Sequence, residues 1–484
     1  MNDFTWYRGE YVRPTWSGGS PAPEPDPFAK MKPITSIVAT GDSILDKRIG
    51  YAVANSLTFA GSEGVLNSGA IWNAGALIDF KGQAQPEIKG RCLVTSEGAE
   101  GEDVSLKMLG GSYNGSVTGI DSFGVKVQYG LTYAWSFIGY AAALSGKFPE
   151  LLHWAAMGGL KTGQMLARIP VEVIPYAPSH VIISCGTNDI ANSGGLTNEE
   201  IIQNLQDACG LCTAAGIQVL LYAVTPSSEG SGPTHAERRK AINAALKEWC
   251  ETQADVFLLD VWPYMADPET GYALPGMLSD TVHPTAYGYR AGVVPLLEIF
   301  NKKAVHYIPD TAVNRLSNPD FAKTVAASSG FTGIMPDGFS LVKSNNATYT
   351  AVSSVANGEW TVEISGGREG ETCTFYLMPN ETASIQAQDS RNTTYLETRL
   401  EADSEVAAVL HGSYVLNGTV PVIYGMQYAN WLLVPGGEWY VVTGRDLPVA
   451  AGDNFGAGRP NFRLTVPAGG NLRATIRKPG VLRW

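Results

Sequence analysis

The feature that most constrains the fold is an alternation of two patterns between residues 34 and 302. Short apolar runs, typical of buried strands, alternate with longer stretches in which apolar side chains recur at helical spacing. The predicted strands are 34–40, 152–156, 180–184, 217–223 and 256–260, and the predicted helices are 132–146, 163–172, 197–215, 235–253 and 285–302. This alternation predicts an α/β domain with a parallel sheet and helices on both of its faces.

Length and composition predict a globular protein with more than one domain, because the chain has 484 residues, of which 44% are hydrophobic and 17% charged. Residues 1–33 are rich in proline, and this composition predicts an extended arm or linker. The arm either attaches the chain to a larger particle or is a disordered tail. The α/β domain is assigned to 34–305, with a β-rich insertion at about 50–130. An all-β region is assigned to 310–484.

The C-terminal region contains short runs of alternating polar and apolar residues, which predict a β-sandwich of the jelly-roll type. The predicted strands are 348–353, 359–364, 372–377, 395–402, 405–411, 420–426, 438–443 and 461–465. Its first segments, 316–321 and 335–339, resemble the start of carbohydrate-binding-module-like sandwiches. Six aromatic residues either form a sugar-stacking platform or belong to the core: Trp360, Tyr424, Tyr428, Trp431, Trp439 and Tyr440.

Charge and hydropathy argue against several partners. The formal net charge of −12 disfavours nucleic acid and anionic membranes as partners. The apolar runs are all shorter than the roughly 18 to 20 residues that span a bilayer, so we expect no membrane insertion. The first residues lack the basic start and apolar core of a secretion signal. We therefore expect synthesis in the cytoplasm, with later association with a virion or release by lysis.

Neither a metal nor an organic cofactor is expected. The six cysteines are too sparse for a disulfide scaffold, and the pair Cys209 and Cys212 falls inside a predicted helix without a second ligand pair. The histidines outside the segment 280–284 have no metal-ligand spacing.

Four short segments carry chemistry: 41–44, 157–159, 186–189 and 280–284. Ser43 follows a predicted strand, where its hydroxyl would lie at the sheet edge that binds ligands in α/β proteins. His283 is the candidate general base for that hydroxyl, and Asp280 is the candidate group that orients the imidazole. The backbone N–H groups of Ser43 and Gly159 and the amide of Asn188 are candidate donors to an oxyanion. Taken singly, Ser43 could instead cap a helix, and Asn188 and His283 could be turn residues.

These segments resemble, in the same order, the four blocks of the SGNH (GDSL-type) hydrolases. The resemblance covers roughly 34–302 and implies a three-layer flavodoxin-like domain, with Ser43 as nucleophile, Asp280 and His283 as its partners, and Gly159 and Asn188 in the oxyanion hole. Gly159 is preferred to the adjacent Gly158 because the residues after it resemble the helix that follows this block in the family.

One departure from the family is the distance of 116 positions between Ser43 and Gly159. The extra residues predict a small β-subdomain inserted directly after the nucleophile. We expect its loops to reach the active-site rim, where Phe59 and Trp72, together with Asp42, are candidate substrate-binding residues. The alternative is a subdomain that only stabilises the fold.

The resulting hypothesis is a serine carbohydrate esterase that removes O-acetyl groups from a polysaccharide, such as a capsule, an O-antigen or a plant or bacterial glycan, through an acyl-serine intermediate. SGNH domains followed by such sandwiches occur in phage tail and prophage proteins, which fits an attachment arm. Two alternatives stay open: a lipase or thioesterase of the same family, and a non-catalytic glycan-binding or structural tail protein. The sequence leaves open whether the protein is a monomer or a homo-oligomer.

Overall fold

The computed structural model describes the chain from residue 28 onward, with gaps. The described ranges are 28–46, 51–72, 77–89, 91–109, 111–129, 136–191, 195–308, 312–314, 316–328, 330–343, 348–366, 373–379, 391–402, 406–416, 420–425, 431–433, 437–443, 447–448, 455–466 and 471–483. Most of the predicted arm, 1–27, lies outside them. Within the arm's last residues, Met31 is buried and the N–H of Lys32 donates to Gln218 Oε1 at 2.8 Å.

Five parallel strands form the central sheet of the α/β domain. They are Ser36–Gly41, Glu150–Trp154, His180–Ser184, Gln218–Tyr222 and Val256–Leu259. Numbered along the chain, their order across the sheet is 2-1-3-4-5. The second strand lies on one side of the first strand, and the third, fourth and fifth strands lie on its other side. The carboxyl end of Ser36–Gly41 is therefore at the topological switch point, where α/β sheets form ligand crevices. The structure thus places the residues after Gly41 at that crevice.

Helices cover both faces of this sheet. The α-helices are Ser43–Asp46, Phe137–Ser145, Thr162–Arg168, Thr187–Ala191, Asn198–Ala214, Pro233–Glu251, Trp262–Met265, Ala286–Gly292 and Val294–Lys303. A π-helix, Ile169–Val173, and short 3₁₀ helices, Ile174–Tyr176 and Glu229–Ser231, complete the set. Among the described helices, none has the length and apolar character needed to cross a bilayer.

Alternate residues of the central strands point to opposite faces and enter separate cores. Ile37 and Ala39 pack in one apolar cluster, and Val38 packs in the other. Because both faces are covered, the strands are almost continuously apolar, as is usual for parallel sheets. This burial explains why the strands are recognisable in the sequence.

The insertion forms a small closed barrel. Its strands are Tyr51–Gly61, Glu63–Ser68, Leu77–Lys81, Arg91–Val94, Asp103–Leu109, Tyr113–Ser116 and Lys126–Tyr129. Six of them pair in a continuous ring that the first and second strands close, and Tyr113–Ser116 pairs with residues 58–61 of the first strand. A closed ring leaves no free edge and encloses an apolar core of its own.

The barrel core corrects two predictions. Phe59 and Trp72, expected at the substrate rim, are 5% and 2% exposed and lie inside the barrel. The Phe59 ring packs edge-on against Phe80 at 6.3 Å, and the indole N–H of Trp72 donates to Ser68 Oγ at 2.7 Å. Both side chains therefore fill the barrel rather than face a substrate.

The C-terminal region is composed of two sheets. The first contains Val313–Asn314, Thr324–Ala326, Thr332–Pro336, Thr350–Ala356, Glu359–Ser365, Arg391–Ala402, Trp439–Thr443, Leu447–Pro448 and Leu472–Arg483. The second contains Phe339–Lys343, Cys373–Pro379, Val406–Leu416, Val420–Gly425, Trp431–Leu433 and Phe455–Val466. Phe339 of the second sheet packs on Trp360 of the first, with ring centroids 5.9 Å apart. The sheets therefore share a core.

Among the aromatic residues predicted to form a sugar platform, the three whose side chains the structure describes do not share one surface. Trp360 and Tyr440 are buried. Trp439 is partly exposed, and the guanidinium carbons of Arg477 and Arg399 lie 3.8 Å and 5.1 Å from its ring centroid. The side chains of Tyr424 and Trp431 and the whole of Tyr428 lie outside the described part of the chain. The two buried rings belong to the core.

Candidate active site

The candidate residues meet at one edge of the central sheet. The strands Ser36–Gly41 and His180–Ser184 are neighbours, with Gly41 opposite Ser184, so the residues after each strand emerge side by side. Gly41 has a φ of +137°, and a Cβ there would lie 1.8 Å from the Ser184 carbonyl oxygen. Only glycine allows this approach, which brings Ser43 next to the segment that contains Asn188.

Ser43, His283 and Asp280 form a continuous chain of hydrogen bonds. His283 Nε2 lies 2.8 Å from Ser43 Oγ, and His283 Nδ1 lies 2.8 Å from Asp280 Oδ2 and 3.0 Å from Oδ1. Both contacts are satisfied when Nδ1 carries the proton and Nε2 accepts from the serine hydroxyl. The imidazole is then held in the tautomer that can remove the Ser43 proton.

The loop around His283 explains its orientation. Asp280 Oδ1 accepts hydrogen bonds from the backbone N–H groups of Val282, at 3.0 Å, and His283, at 2.8 Å. The carboxylate therefore fixes both the backbone and the ring of the histidine, a local turn that aspartate favours. The side chains of His283 and Asp280 are 23% and 46% exposed, so the pair faces solvent.

A second interaction fixes the serine side of the site. Asp42 Oδ1 accepts from the N–H of Ile44 at 3.0 Å, and the hydroxyl of Tyr289 donates to the Ile44 carbonyl oxygen at 2.8 Å. Asp42 thus takes the capping role that was one alternative for Ser43, and it leaves the serine hydroxyl to His283. The hydrogen bond from Tyr289 thus joins the helix Ala286–Gly292 to the helix Ser43–Asp46.

Asp42 lies next to Ser43 in the chain, but it faces the interior and not solvent. Its side chain is completely buried, which corrects its assignment as a substrate-binding residue. Burial raises the pKa of Asp42 to about 7, against the lowering effect of hydrogen bonds from the backbone of Ile44 and Thr187. The carboxyl is therefore a structural group beneath the site that titrates near neutral pH.

The other candidate residues lie on a turn, which contains Gly159, and on the short helix Thr187–Ala191, which contains Asn188, and the two are held together. Asn188 Nδ2 donates to the carbonyl oxygen of Leu160 at 3.0 Å, next to Gly159. Buried Asp189 accepts from the N–H of Thr162 at 3.0 Å and from its hydroxyl at 2.9 Å. Gly159 has a φ of +84° and is exposed. The structure therefore brings Asn188 alongside Gly159 at the same sheet edge as Ser43.

The described cysteines and histidines outside this site form no metal centre. In the described ranges, no group of three or more His, Cys, Asp or Glu side chains is arranged to hold an ion. Cys209 and Cys212 are buried in the apolar core beneath the helix Asn198–Ala214, and burial raises the pKa of Cys212 to about 12. These thiols contribute to packing.

Part of the chain matches a known protein family. Residues 121–291 match the sequence model of the GDSL-like Lipase/Acylhydrolase family. A GDSL-like domain therefore lies within this chain. The match includes Gly159, Asn188, Asp280 and His283 but begins after most of the barrel, so Ser43 lies outside it and joins the site only through the fold. The assignment supports a hydrolase, consistent with an esterase or a lipase.

Parts of the chain are also similar to solved structures of other proteins. A lipase/acylhydrolase from Enterococcus faecalis is 21% identical over 35% of this chain and 86% of its own, with a TM-score of 0.30. A GDSL-like lipase from Bacteroides thetaiotaomicron is 21% identical over 31% and 76%, with a TM-score of 0.29. A carbohydrate esterase family 3 protein from Talaromyces cellulolyticus is 22% identical over 31% and 70%, with a TM-score of 0.25. A comparison with curated proteins found no match.

Two residues near the GDSL-like site were missed by sequence reasoning. Phe123, from a turn of the insertion, lies against Gly159: a Cβ on that glycine would be 3.6 Å from the Phe123 ring. Lys81, at the end of a barrel strand, donates from Nζ to the carbonyl oxygen of Ala156 at 2.8 Å. The barrel therefore reaches the site through Phe123 and Lys81, and not through Phe59 and Trp72.

Proposed function

We propose that this protein is a serine esterase in which Ser43 attacks the ester carbonyl, with His283 as general base and Asp280 as its partner. The observation that carries the proposal is the chain of hydrogen bonds from Ser43 Oγ through the imidazole to the Asp280 carboxylate, each step 2.8 Å long. An isolated serine hydroxyl is a weak nucleophile, and an adjacent oriented base is what activates it.

The reaction would proceed in two steps. In the first, the Ser43 oxygen bonds to the carbonyl carbon while Nε2 of His283 takes its proton, and the proton then passes to the departing alcohol. In the second, water attacks the acyl-serine with His283 again as base, which releases the acid and restores the hydroxyl. The N–H groups of Ser43 and Gly159 and the amide of Asn188 are the proposed donors to the oxyanion in both steps.

For the substrate, we favour O-acetyl groups on a polysaccharide. One supporting feature is an open cleft of about 590 Å³ in the C-terminal region. Its lining combines apolar surface with charged and amide groups that can contact glycan hydroxyls, and a jelly-roll sandwich would present such a cleft to an extended polymer. The polar lining includes Asn314, Asp320, Asn357, Glu359, Tyr395, Arg477 and Lys478. A second binding region raises the local concentration of polymer at the esterase domain.

The deciding experiment is hydrolysis of para-nitrophenyl acetate, butyrate and octanoate by the purified protein. We expect acetate turnover that falls steeply by butyrate, and a loss of at least about 10⁴-fold in Ser43→Ala. The matched control is Ser317→Ala, which removes an exposed hydroxyl from the C-terminal region. Acetate release from acetylated polysaccharides would then be measured for the active protein.

Other outcomes would replace the proposal. Turnover that rises with acyl-chain length would indicate a lipase or thioesterase of the same family. Glycan binding without turnover of any ester, unchanged in Ser43→Ala, would indicate a binding protein.

A further inference from the structure

We propose that the inserted barrel is a clamp for the oxyanion loop, defined as residues 155–159, with Lys81 as its positioning residue and Phe123 as its buttress. This inference rests on the proposed esterase function, because it assigns to the Gly159 N–H a role toward the substrate oxyanion. It gives the insertion a catalytic purpose that neither the family match nor the candidate triad supplies.

A single peptide group in the oxyanion loop is hydrogen-bonded on both of its sides. Its N–H, from Met157, donates to the carbonyl oxygen of Gly41 at 2.9 Å, and its C=O, from Ala156, accepts from Lys81 Nζ at 2.8 Å. One side of this peptide is thus fixed to the strand that precedes Ser43, and the other side is fixed to the barrel. With both groups bonded, the peptide plane cannot rotate without breaking a hydrogen bond.

The next two residues explain why an external restraint is needed. Gly158 and Gly159 have no side chains, and Gly159 adopts a φ of +84°, which glycine reaches without steric cost. Glycine also has the most conformational freedom to lose, so the direction of the Gly159 N–H depends on its neighbours. The Met157 carbonyl oxygen accepts from the N–H of Leu160 at 3.2 Å, and the next peptide toward the N-terminus is the one that Lys81 holds.

Lys81 is in an unusual environment for a lysine side chain. Its side chain is completely buried, and a buried ammonium is costly unless polar groups surround it. A hydrogen bond from an ammonium group to a carbonyl is stronger than one between neutral partners. The contact with Ala156 is therefore a rigid link between the barrel and the loop, and not an exposed lysine that changes its rotamer freely.

Phe123 supports the loop from the other side. Its ring lies next to the Cα of Gly159, 3.6 Å from where a Cβ would be. Its backbone N–H donates to Asp121 Oδ1 at 3.0 Å, and Asp121 accepts from Arg168 Nη2 at 3.0 Å. Phe123 is thus fixed by a charged pair that joins the barrel to the helix after the oxyanion loop.

Arg168 extends the same network to the loop itself. Its Nη2 lies 3.4 Å from the sulfur of Met157, and its Nη1 lies 3.3 Å from the carboxylate of Glu172. Glu172 also accepts a hydrogen bond from the N–H of Gly82, the residue after Lys81. Two barrel turns therefore hold the oxyanion loop through buried polar contacts.

The experiment compares Lys81→Met with Lys89→Met. Both lysines belong to the insertion and donate to a carbonyl of the GDSL-like domain, but Lys89 contacts Pro175 at 2.9 Å, is exposed, and does not touch the oxyanion loop. For Lys81→Met we expect kcat to fall about 10- to 100-fold with KM changed less than about threefold, because the donor is misplaced in the transition state. Affinity for a trifluoromethyl ketone, which forms a tetrahedral adduct with Ser43, should fall in parallel. Lys89→Met should leave all three values unchanged.

A second readout does not depend on catalysis. Amide hydrogen exchange of peptides that cover 155–160 should accelerate in Lys81→Met and stay unchanged in Lys89→Met. If the wild type hydrolyses no ester, the esterase proposal fails while this exchange measurement still tests the clamp. If Lys81→Met does not fold, Phe123→Ala, whose side chain is partly exposed, provides the same test. A folded Lys81→Met with wild-type kcat, or one whose loop exchanges at the wild-type rate, would overturn the inference.

Discussion

The inserted barrel and the C-terminal sheets are both all-β additions to one parallel-sheet domain, yet they are attached by different contacts. The barrel is joined through charged groups of the α/β domain that are completely buried: Arg168 bonds to Asp121, and Glu172 accepts from the N–H of Gly82. The C-terminal sheets are joined through packing of Tyr440 on Tyr140, with ring centroids 6.4 Å apart, and through a partly exposed ion pair between Arg290 and Glu438. Buried polar contacts hold a fixed geometry, whereas apolar packing tolerates small shifts. We therefore expect the barrel, and not the C-terminal sheets, to control the geometry of the site.

The largest expected effect is that of Arg168→Met, which keeps the length of the side chain but leaves the Glu172 carboxylate without its cation. Breaking a buried ion pair on one side costs about 3 to 5 kcal/mol. Unfolding in urea should show this loss, and kcat should fall as the oxyanion loop loosens. A loss below about 1 kcal/mol would mean that the charged attachment is no stronger than the apolar one.

Asp42 makes the stability of the GDSL-like domain depend on pH, independently of the two attachments. Its carboxyl ionises near 3.8 in the unfolded chain, whereas burial raises the folded pKa to about 7. As pH rises between these values, the unfolded state loses the proton while the folded state keeps it, so folding is destabilised, by up to about 4 kcal/mol. Above about pH 7 the penalty is constant.

We expect Asp42→Asn to lack this component. Relative to the wild type, its free energy of unfolding should improve between pH 4 and pH 8 by up to about 4 kcal/mol, because asparagine does not titrate. Urea titrations at several pH values measure the difference. A constant offset between the two proteins across this range would contradict a raised pKa at Asp42.

A smaller effect is expected at the attachment of the C-terminal sheets. The Tyr440 hydroxyl interacts with the Arg290 guanidinium and contributes to raising the pKa of Arg290 against the lowering effect of burial. Tyr440→Phe keeps the ring packing and removes this interaction, which should cost about 1 to 2 kcal/mol. The values of kcat and KM for a small ester should stay within about twofold of the wild type. A large fall in kcat would show that this attachment also controls the site.

The smallest effect is expected for Glu438→Gln in the same attachment. The carboxylate side chain is 43% exposed and its partner Arg290 is 25% exposed, so solvent and salt screen the pair. Such pairs contribute about 0.2 to 1 kcal/mol. Thermal unfolding at low and high salt should show a difference from the wild type that disappears at high salt. A salt-independent loss would indicate a more deeply buried interaction.

The parallel sheet was predictable because its strands are buried on both faces. The strand predicted at 180–184 is observed as His180–Ser184, and its five residues are all buried. Boundaries were less predictable where proline intervenes. The helix predicted at 285–302 is observed as Ala286–Gly292 and Val294–Lys303, with Pro295 in the first turn of the second helix, where its missing N–H is tolerated.

The candidate site was predictable in part. Ser43, Asp280 and His283 could be selected because each residue type and position follows from the chemistry of an activated hydroxyl, and the structure brings the three together. The placement of Phe59 and Trp72 at the rim was wrong, because the sequence does not show which aromatic side chains a closing barrel encloses. Lys81 follows the inward-facing Phe80, so strand alternation points it out of the barrel, but only the packing shows that it meets Ala156 there.

The closure of the barrel has a consequence for the order of folding. The first strand of the central sheet pairs with the second across more than a hundred residues, since Ser36 lies opposite Glu150. Tyr51 and Gln128 are paired within the barrel, so once the barrel has formed the chain enters and leaves it side by side. The loop that the central sheet must close then becomes roughly threefold shorter, a saving of about 1 kcal/mol in chain entropy. We expect the barrel to fold first and to bring the nucleophile strand to its partners.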